Sequence, residues 1–277
     1  MDSAASSSDI KSIHKATAVL LFLASSHEGR TFTEIREALG IGKSTAHRFL
    51  ATLENNGLVR RTRDDGRYYL GLVALRIGVA AGNQLELRKS IRPFLTELTQ
   101  RTGETSNLVV LDGTKPVFID NVESTNTLRI YSRVGRHTSP YATSAGKALL
   151  AYQSPTYVEE VLASEAFERR TERTIVSREV FLAELERVRR QGFAVDDEEG
   201  ELGARCVGAP IINGPGIALA AISISGPSAR VSQQRVPELA RIVVEVAEHA
   251  QRALGIHPTQ PAFPPMHAKG ATPEQEY

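Results

Sequence analysis

The chain has 277 residues, 41% hydrophobic and 23% charged, with a formal net charge of +1. That length suits two domains, and the balance is that of ordinary globular protein, which argues against a low-complexity or polyelectrolyte chain. No apolar run approaches the roughly 20 residues that cross a bilayer, the Ser-rich start lacks the pattern of a signal peptide, and the lone Cys206 can form no internal disulfide, so a cytoplasmic protein is expected.

Residues 1–8 form a polar start and residues 257–277 a Pro-rich end (Pro258, Pro261, Pro264, Pro265, Pro273), both expected to be disordered. Between them, Ile13, Ala16, Val19, Leu20 and Leu23 have helical spacing. Thr31-Phe32-Thr33-Glu34 has capping-box spacing and opens a second helix with Ile35, Ala38 and Leu39 inward, closed by Gly40. A third helix runs from about Lys43 to Asn55 on Ala46, Phe49, Leu50 and Leu53, and Gly57 stops it. Leu58–Thr62 and Arg67–Leu70 read as short strands about Asp64-Asp65-Gly66. Three helices and a hairpin predict a winged helix-turn-helix over residues 9–71.

Residues 72–84 are expected to form a linker helix, and residues 85–256 a second domain. Helix is predicted for Leu85–Thr102, with Pro93 restarting or kinking it. Thr105–Leu111 and Pro116–Val122 form a hairpin about Asp112-Gly113, and Leu128–Val134 reads as another strand. Helices at Ser144–Gln153, Thr156–Ala163 and Arg178–Gln191 follow, then strands at Gly192–Asp196, Cys206–Ile212 and Ile217–Ser225. The last two strands turn through Asn213-Gly214-Pro215-Gly216, and Pro237–Leu254 closes as helix. The fold class is thus a mainly α N-terminal domain followed by an α/β domain around an antiparallel sheet.

The basic residues of the first module cluster between Lys43 and Arg67, as a phosphate-binding surface requires. Removing the apolar stripe of the third helix leaves Lys43, Ser44, Thr45, His47, Arg48 and Thr52 facing out. Thr45, His47 and Arg48 are the candidates for reading base edges in the major groove, and Lys43 and Ser44 for gripping phosphate at the helix start. Arg61, Arg63 and Arg67 would let the hairpin touch backbone or minor groove. A merely solvated charged face is the blander alternative. Gly42-Lys43-Ser44 is no phosphate loop, because Glu37 stands where glycine is needed; Tyr141 excludes Gly146-Lys147 in the same way.

In the second module, Pro140 precedes the small residues Ala142-Thr143-Ser144-Ala145-Gly146, which let a ligand approach backbone at a helix start. Ser223 and Ser225 are two apart on a strand, so both hydroxyls face one side of the sheet. Uncharged donors and acceptors of this kind suit a carboxylate, a hydroxy acid or a keto acid. Asp196 and Cys206 complete the floor, Asp196 as acceptor for a ligand hydroxyl. Asp196-Asp197-Glu198-Glu199 is most simply an acidic loop, with a cation site as the alternative. The seven histidines lack metal-ligand spacing, so neither metal nor cofactor is expected.

These pieces together resemble the IclR family of bacterial transcriptional regulators, from about Ile10 to Leu254. The resemblance rests on Thr33-Glu34-Ile35, Lys43-Ser44-Thr45-Ala46-His47-Arg48, Gly57-Leu58-Val59, Ser144-Ala145-Gly146-Lys147-Ala148, the run from Asp196 to Cys206, and Ala220-Ala221-Ile222-Ser223-Ile224-Ser225-Gly226-Pro227. It implies a GAF-like effector domain, a homodimer or dimer of dimers, and control of carbon or aromatic catabolism by a small metabolite, commonly a carboxylate. It adds Thr33 to the DNA-contacting set. Carried over residue by residue, it implies effector contacts at Ser144, Ala145, Asp196, Cys206, Ser223 and Ser225, with Ile130, Thr138 and Ala204 as walls. Thr138 and Ala204 stand where a bulkier apolar residue is frequent, which implies a roomier or more polar pocket. Gly42 replaces a frequent proline ahead of the recognition helix.

The expected function is therefore operator binding controlled by a metabolite, with double-stranded, pseudo-palindromic DNA as partner. Two other readings compete. One is an enzyme using Cys206 as nucleophile, which needs a positioned histidine, and the nearest candidates are His137 and His249. The other is a DNA-binding protein whose second domain only dimerises.

Overall fold

The computed structural model describes residues 10–62, 64–84, 86–213 and 216–256. The chain falls into two units dividing between Leu85 and Glu86. Residues 1–8, 257–277, Arg63, Gly214 and Pro215, on which some sequence expectations fell, lie outside the described residues.

In the first unit, α1 (Lys11–Ala24), α2 (Phe32–Ala38) and α3 (Lys43–Asn55) enclose Val19, Leu23, Ile35, Leu50 and Leu53, with Val59 and Tyr68 of the hairpin closing the core. The capping box forms reciprocally: Thr31 Oγ1 accepts the Glu34 amide at 3.2 Å, and Glu34 Oε2 accepts the Thr31 amide at 2.7 Å. Ala38, expected inward, is exposed; α2 is seven residues long, and Leu39, one step on, packs against the core instead. Strands β1 (Val59–Arg61) and β2 (Tyr68–Leu70) pair antiparallel as a wing. A side chain at Gly71 would stand 2.1 Å from the Gly57 carbonyl oxygen, so glycine lets the wing close on the end of α3. Then α4 (Leu72–Gln84) leaves Leu72, Leu75 and Ile77 exposed.

The second unit is a five-stranded, wholly antiparallel sheet in the order β4-β3-β7-β6-β5. Its strands are β3 (Thr105–Asp112), β4 (Lys115–Val122), β5 (Ala194–Asp197), β6 (Ala204–Ile212) and β7 (Ala218–Pro227). Period-two alternation splits the strands between two cores. Leu108, Val207, Ala209, Ile222 and Ile224 pack with α5 (Glu86–Thr102) and α9 (Val236–Ala253). Val109, Ala194 and Ala221 face the other way, onto α6 (Ser144–Leu150), α7 (Pro155–Ser164) and α8 (Arg178–Gln191). α5 continues through Pro93 as one helix; the carbonyl its ring leaves unbonded, that of Lys89, belongs to an exposed residue and can be hydrated.

Residues 128–134 are not a strand. Leu128 and Tyr131 point into solvent, 70% and 60% exposed. Backbone pairing with the edge strand β4 begins only afterwards, where Gly135 donates to the Phe118 carbonyl, Phe118 to Arg136 and Thr138 to Pro116. Gly135, at φ 82°, turns the backbone at that meeting and prevents a continuous ladder.

Candidate functional sites: a recognition helix and a buried polar row

On the first unit, α3 begins at Gly42 with no side-chain cap, which leaves its first amides free for a phosphate oxygen. Lys43, Ser44, His47, Arg48 and Thr52 are exposed; Thr45 is half-buried and lines a groove against α1 with Arg48 and Phe49. The His47 ring stacks on Phe32 at 4.1 Å and 24°, so α2 fixes the direction of a base-reading candidate. Thr33 is exposed in the first turn of α2.

The wing arginines are partly committed within the fold. Arg61 Nε donates to the Gly66 carbonyl at 3.2 Å, and its guanidinium lies 5.4 Å from the Tyr68 ring centre. Arg67 Nη1 donates to the Gly29 carbonyl at 3.3 Å and sits 3.9 Å from Glu34. Arg67 thus ties the wing to the start of α2. Arg60, which the sequence did not single out, is exposed and lies over Tyr69 at 4.6 Å.

In the second unit, strand register brings distant residues into rows. Asp196 of β5 pairs with Cys206 of β6, Cys206 with Ser225 of β7, and Ser225 with Thr105 of β3. One step along the same face, Gly208 pairs with Ser223 and Ser223 with Asn107. Directly paired residues share a face, so these polar groups form one patch on the α6 side. They are buried except for Cys206, which is half-buried. Asn107 Nδ2 donates to Ser225 Oγ at 3.2 Å and to Ser223 Oγ at 3.5 Å. A side chain at Gly208 would lie 3.1 Å from the Ser144 carbonyl carbon and 3.2 Å from the Ala145 nitrogen, so glycine admits the start of α6 beside the row. Thr143 already caps that helix through the Gly146 amide.

The three wall positions spread more widely. Ala204 lies two residues before Cys206, on the same face and buried. Ile130 is half-buried in the irregular segment after β4, whose Ser132 carbonyl accepts from Asn121, the β4 partner of Asn107. Thr138 is half-buried and lines a small polar cleft with Lys115, Arg136 and Arg170.

Burial dominates the electrostatics of the row. It pushes the Asp196 carboxyl up to about 6, helped by the nearby charge of Glu199 and opposed by Lys147 and the amides of Glu199 and Gly200. Those amides donate to Asp196 Oδ1 at 2.8 and 3.2 Å. Burial, then the charge of Asp196, raises the Cys206 thiol, leaving it protonated and a poor nucleophile. The acidic loop is internally neutralised: Lys147, fully buried on α6, bonds both Glu199 oxygens at 2.7 and 2.9 Å, while Arg205 and Arg173 take Asp197 and Glu198. Glu198 holds a left-handed φ of 61°, fixed by Arg205, Thr171 and Gly203, which turns the following amides onto Asp196.

Residues 12–63 match the IclR helix-turn-helix domain, and residues 79–252 match the bacterial transcriptional regulator IclR C-terminal domain. The chain belongs to the IclR family. It is 36% identical over 225 residues to the HTH-type transcriptional regulator KdgR of Escherichia coli (strain K12), covering 81% of this chain and 86% of that one. It is 32% identical to XynR, an HTH-type transcriptional regulator of the same strain, over 89% of this chain and 98% of that one. Among solved structures it resembles Thermotoga maritima IclR, with a TM-score of 0.70 and 32% identity over 89% of this chain and 100% of that one. It also resembles an IclR homolog from Microbacterium hydrocarbonoxydans complexed with 4-hydroxybenzoate, with a TM-score of 0.76 and 25% identity over 88% and 99%.

As an IclR-family member the protein is a DNA-binding transcriptional regulator, not an enzyme. Of the two histidines named as candidates for the enzyme reading, His249 lies on α9, across the sheet from Cys206, and His137 bonds Asp112 at 2.8 Å, at the opposite end of β3 from the row. Among the described residues no helix is long and apolar enough to cross a membrane. Sequence reasoning missed Asn107 and the buried role of Lys147. The signal for Asn107 was present, as the polar run Thr105-Ser106-Asn107 in a strand that is then apolar from Leu108 to Leu111.

Proposed function

We propose that this regulator binds a small carboxylate in the polar row of its C-terminal unit, and that this binding controls its grip on a pseudo-palindromic operator in the bacterial cytoplasm. The row itself carries the reading: Asp196, Cys206, Ser223, Ser225 and Asn107 converge from four strands on one buried patch that apolar packing does not require. Ser144 and Ala145 border it, and Ile130, Thr138 and Ala204 are the proposed walls. That the Microbacterium homolog holds 4-hydroxybenzoate, itself a carboxylate, supports the ligand class.

On the DNA side, Thr45, His47 and Arg48 read bases, while Lys43, Ser44, Thr33 and the wing arginines Arg61, Arg63 and Arg67 position the backbone. A homodimer, or a dimer of dimers, supplies the two-fold symmetry. The exposed Leu72, Leu75 and Ile77 of α4 favour it, because a second copy would remove them from water. The ligand acts by binding the DNA-competent and DNA-incompetent arrangements unequally.

The test is thermal-shift screening of the purified full chain against hydroxy, keto and aromatic carboxylates. A ligand at 100 times its Kd adds about 2.7 kcal/mol to the folded state. A hit that disappears in the Ser223→Ala, Ser225→Ala double variant supports the pocket; a hit that survives in it refutes the placement. In parallel, Arg48→Ala is expected to weaken operator binding by about 1–3 kcal/mol with the fold intact, and unchanged affinity in fluorescence anisotropy refutes the recognition-helix assignment.

A further inference from the structure

Asn107 sits in the middle of the sheet, fully buried, with Leu108 and Val109 next to it filling the two apolar cores. Its Nδ2 is engaged by Ser225 and Ser223, but its Oδ1 is buried without any hydrogen-bond partner. A neutral carbonyl oxygen in that state costs stability, and an apolar side chain of similar shape avoids the cost. Stability alone therefore does not account for an amide at this position.

The hydrogen-bond directions say what would complete it. Because Ser223 Oγ accepts from Asn107, the Ser223 hydroxyl proton remains free to be donated. The same amide holds an acceptor, Oδ1, beside that donor. A ligand matching the pair needs an acceptor next to a donor. A carboxylate supplies the first and a hydroxyl the second. A keto acid instead sets its carbonyl oxygen against Oδ1, acceptor to acceptor, and an unsubstituted acid leaves Oδ1 unpaired.

We infer that Asn107 is a specificity-determining residue of the effector site, selecting a hydroxylated carboxylate over the matching keto or unsubstituted acid by accepting the hydroxyl proton at Oδ1. The inference rests on reading the polar row as the effector pocket. A site built to bond a hydroxyl discriminates strongly against the analogue that lacks it.

Isothermal titration of the full chain with matched pairs tests it: lactate against pyruvate, lactate against propionate, and 2-hydroxybenzoate against benzoate. The expected result is that at least one hydroxylated member binds tenfold or more tightly than its partner. In Asn107→Leu that ratio is expected to fall to about twofold or less, while the melting temperature without ligand stays level or rises. Asn107→Val, with a side chain suited to a strand and no acceptor, repeats the measurement if Asn107→Leu does not fold. A preference for the keto or unsubstituted member, or a ratio unchanged in the variant, overturns the role of Asn107. An unchanged ratio is also what a fixed water on Oδ1 would produce. If Ser223→Ala, Ser225→Ala abolishes binding of both members while Asn107→Leu leaves the ratio intact, the pocket stands and this inference alone fails. If no pair binds, both fail.

Discussion

Replacing Asp196 by Asn removes a charge from a buried place while keeping an oxygen for the two amides that donate to it, those of Glu199 and Gly200. Burial raises the carboxyl from 3.8 to about 6. In the folded chain Asp196 therefore keeps its proton to about pH 6, and in the unfolded chain only to about 3.8. Between those values the folded state holds the extra proton, so stability is complete below about pH 4 and is lost as pH rises through 6. Above that, both states are ionised and the full penalty is present. At about 1.4 kcal/mol per tenfold change in proton affinity, the penalty at pH 7.5 is roughly 3 kcal/mol, falling to about 1 kcal/mol at pH 4.5.

Asn carries no such penalty. Asp196→Asn is thus expected to be more stable than the parent at pH 7.5 by roughly 2–3 kcal/mol, the attraction to Lys147 being already contained in the raised value. In a unit of this size that raises the melting temperature by about 5 °C or more. Calorimetry of the full chain at both pH values is the assay, with the gain shrinking at pH 4.5. A variant less stable than the parent at pH 7.5, or a difference independent of pH, refutes the view that Asp196 is ionised at a cost.

Two further substitutions probe the framework. Lys147→Met leaves Glu199 buried without its cation and is expected to cost about 3–5 kcal/mol in urea denaturation, with Glu199→Gln in the same background restoring much of it; no rescue would mean that Lys147 acts through packing alone. Thr31→Ala removes one half of the capping box and is expected to destabilise the first unit by about 1 kcal/mol, read as faster hydrogen exchange at the Glu34 amide with the exchange of β6 and β7 unchanged; exchange at Glu34 equal to that of the parent would show the box to be dispensable.

Local rules made much of the fold legible. α3 and α8 lie at Lys43–Asn55 and Arg178–Gln191, where periodicity and a terminal glycine bound them. The hairpin of β3 and β4 turns at Gly113, whose φ of 55° a side chain would resist. Residues 128–134 failed because alternation makes a strand only where backbone pairing follows, and the chain pairs with the edge strand β4 only from Gly135 on, where a φ of 82° turns it. Lys147 was opaque for a similar reason. A lysine in an apolar helix reads as solvated, and only Glu199, 52 residues on, together with Glu184 on α8, makes its burial affordable. Ser223 and Ser225 were visible as a pair two apart, whereas their junction with Asn107 depends on a register that no short segment contains.

The uneven distribution of polar groups on the sheet links the proposed site to stability. On the α6 face the strands are polar at one end, at Thr105, Asn107, Ser223, Ser225 and Asp196, and apolar at the other, at Val109 and Ala221. At the polar end a carboxyl is held ionised against burial and an amide oxygen lacks a partner. The amide cost falls where a ligand hydroxyl would relieve it, so part of the binding energy and the local stability are the same free energy counted at one place. A single compound is then expected to raise the melting temperature of the second unit and to change operator affinity. In Asn107→Leu, where the amide cost is already gone, both responses to that compound are expected to shrink together. Loss of one response without the other would show that effector binding and DNA control are coupled through a different part of the chain.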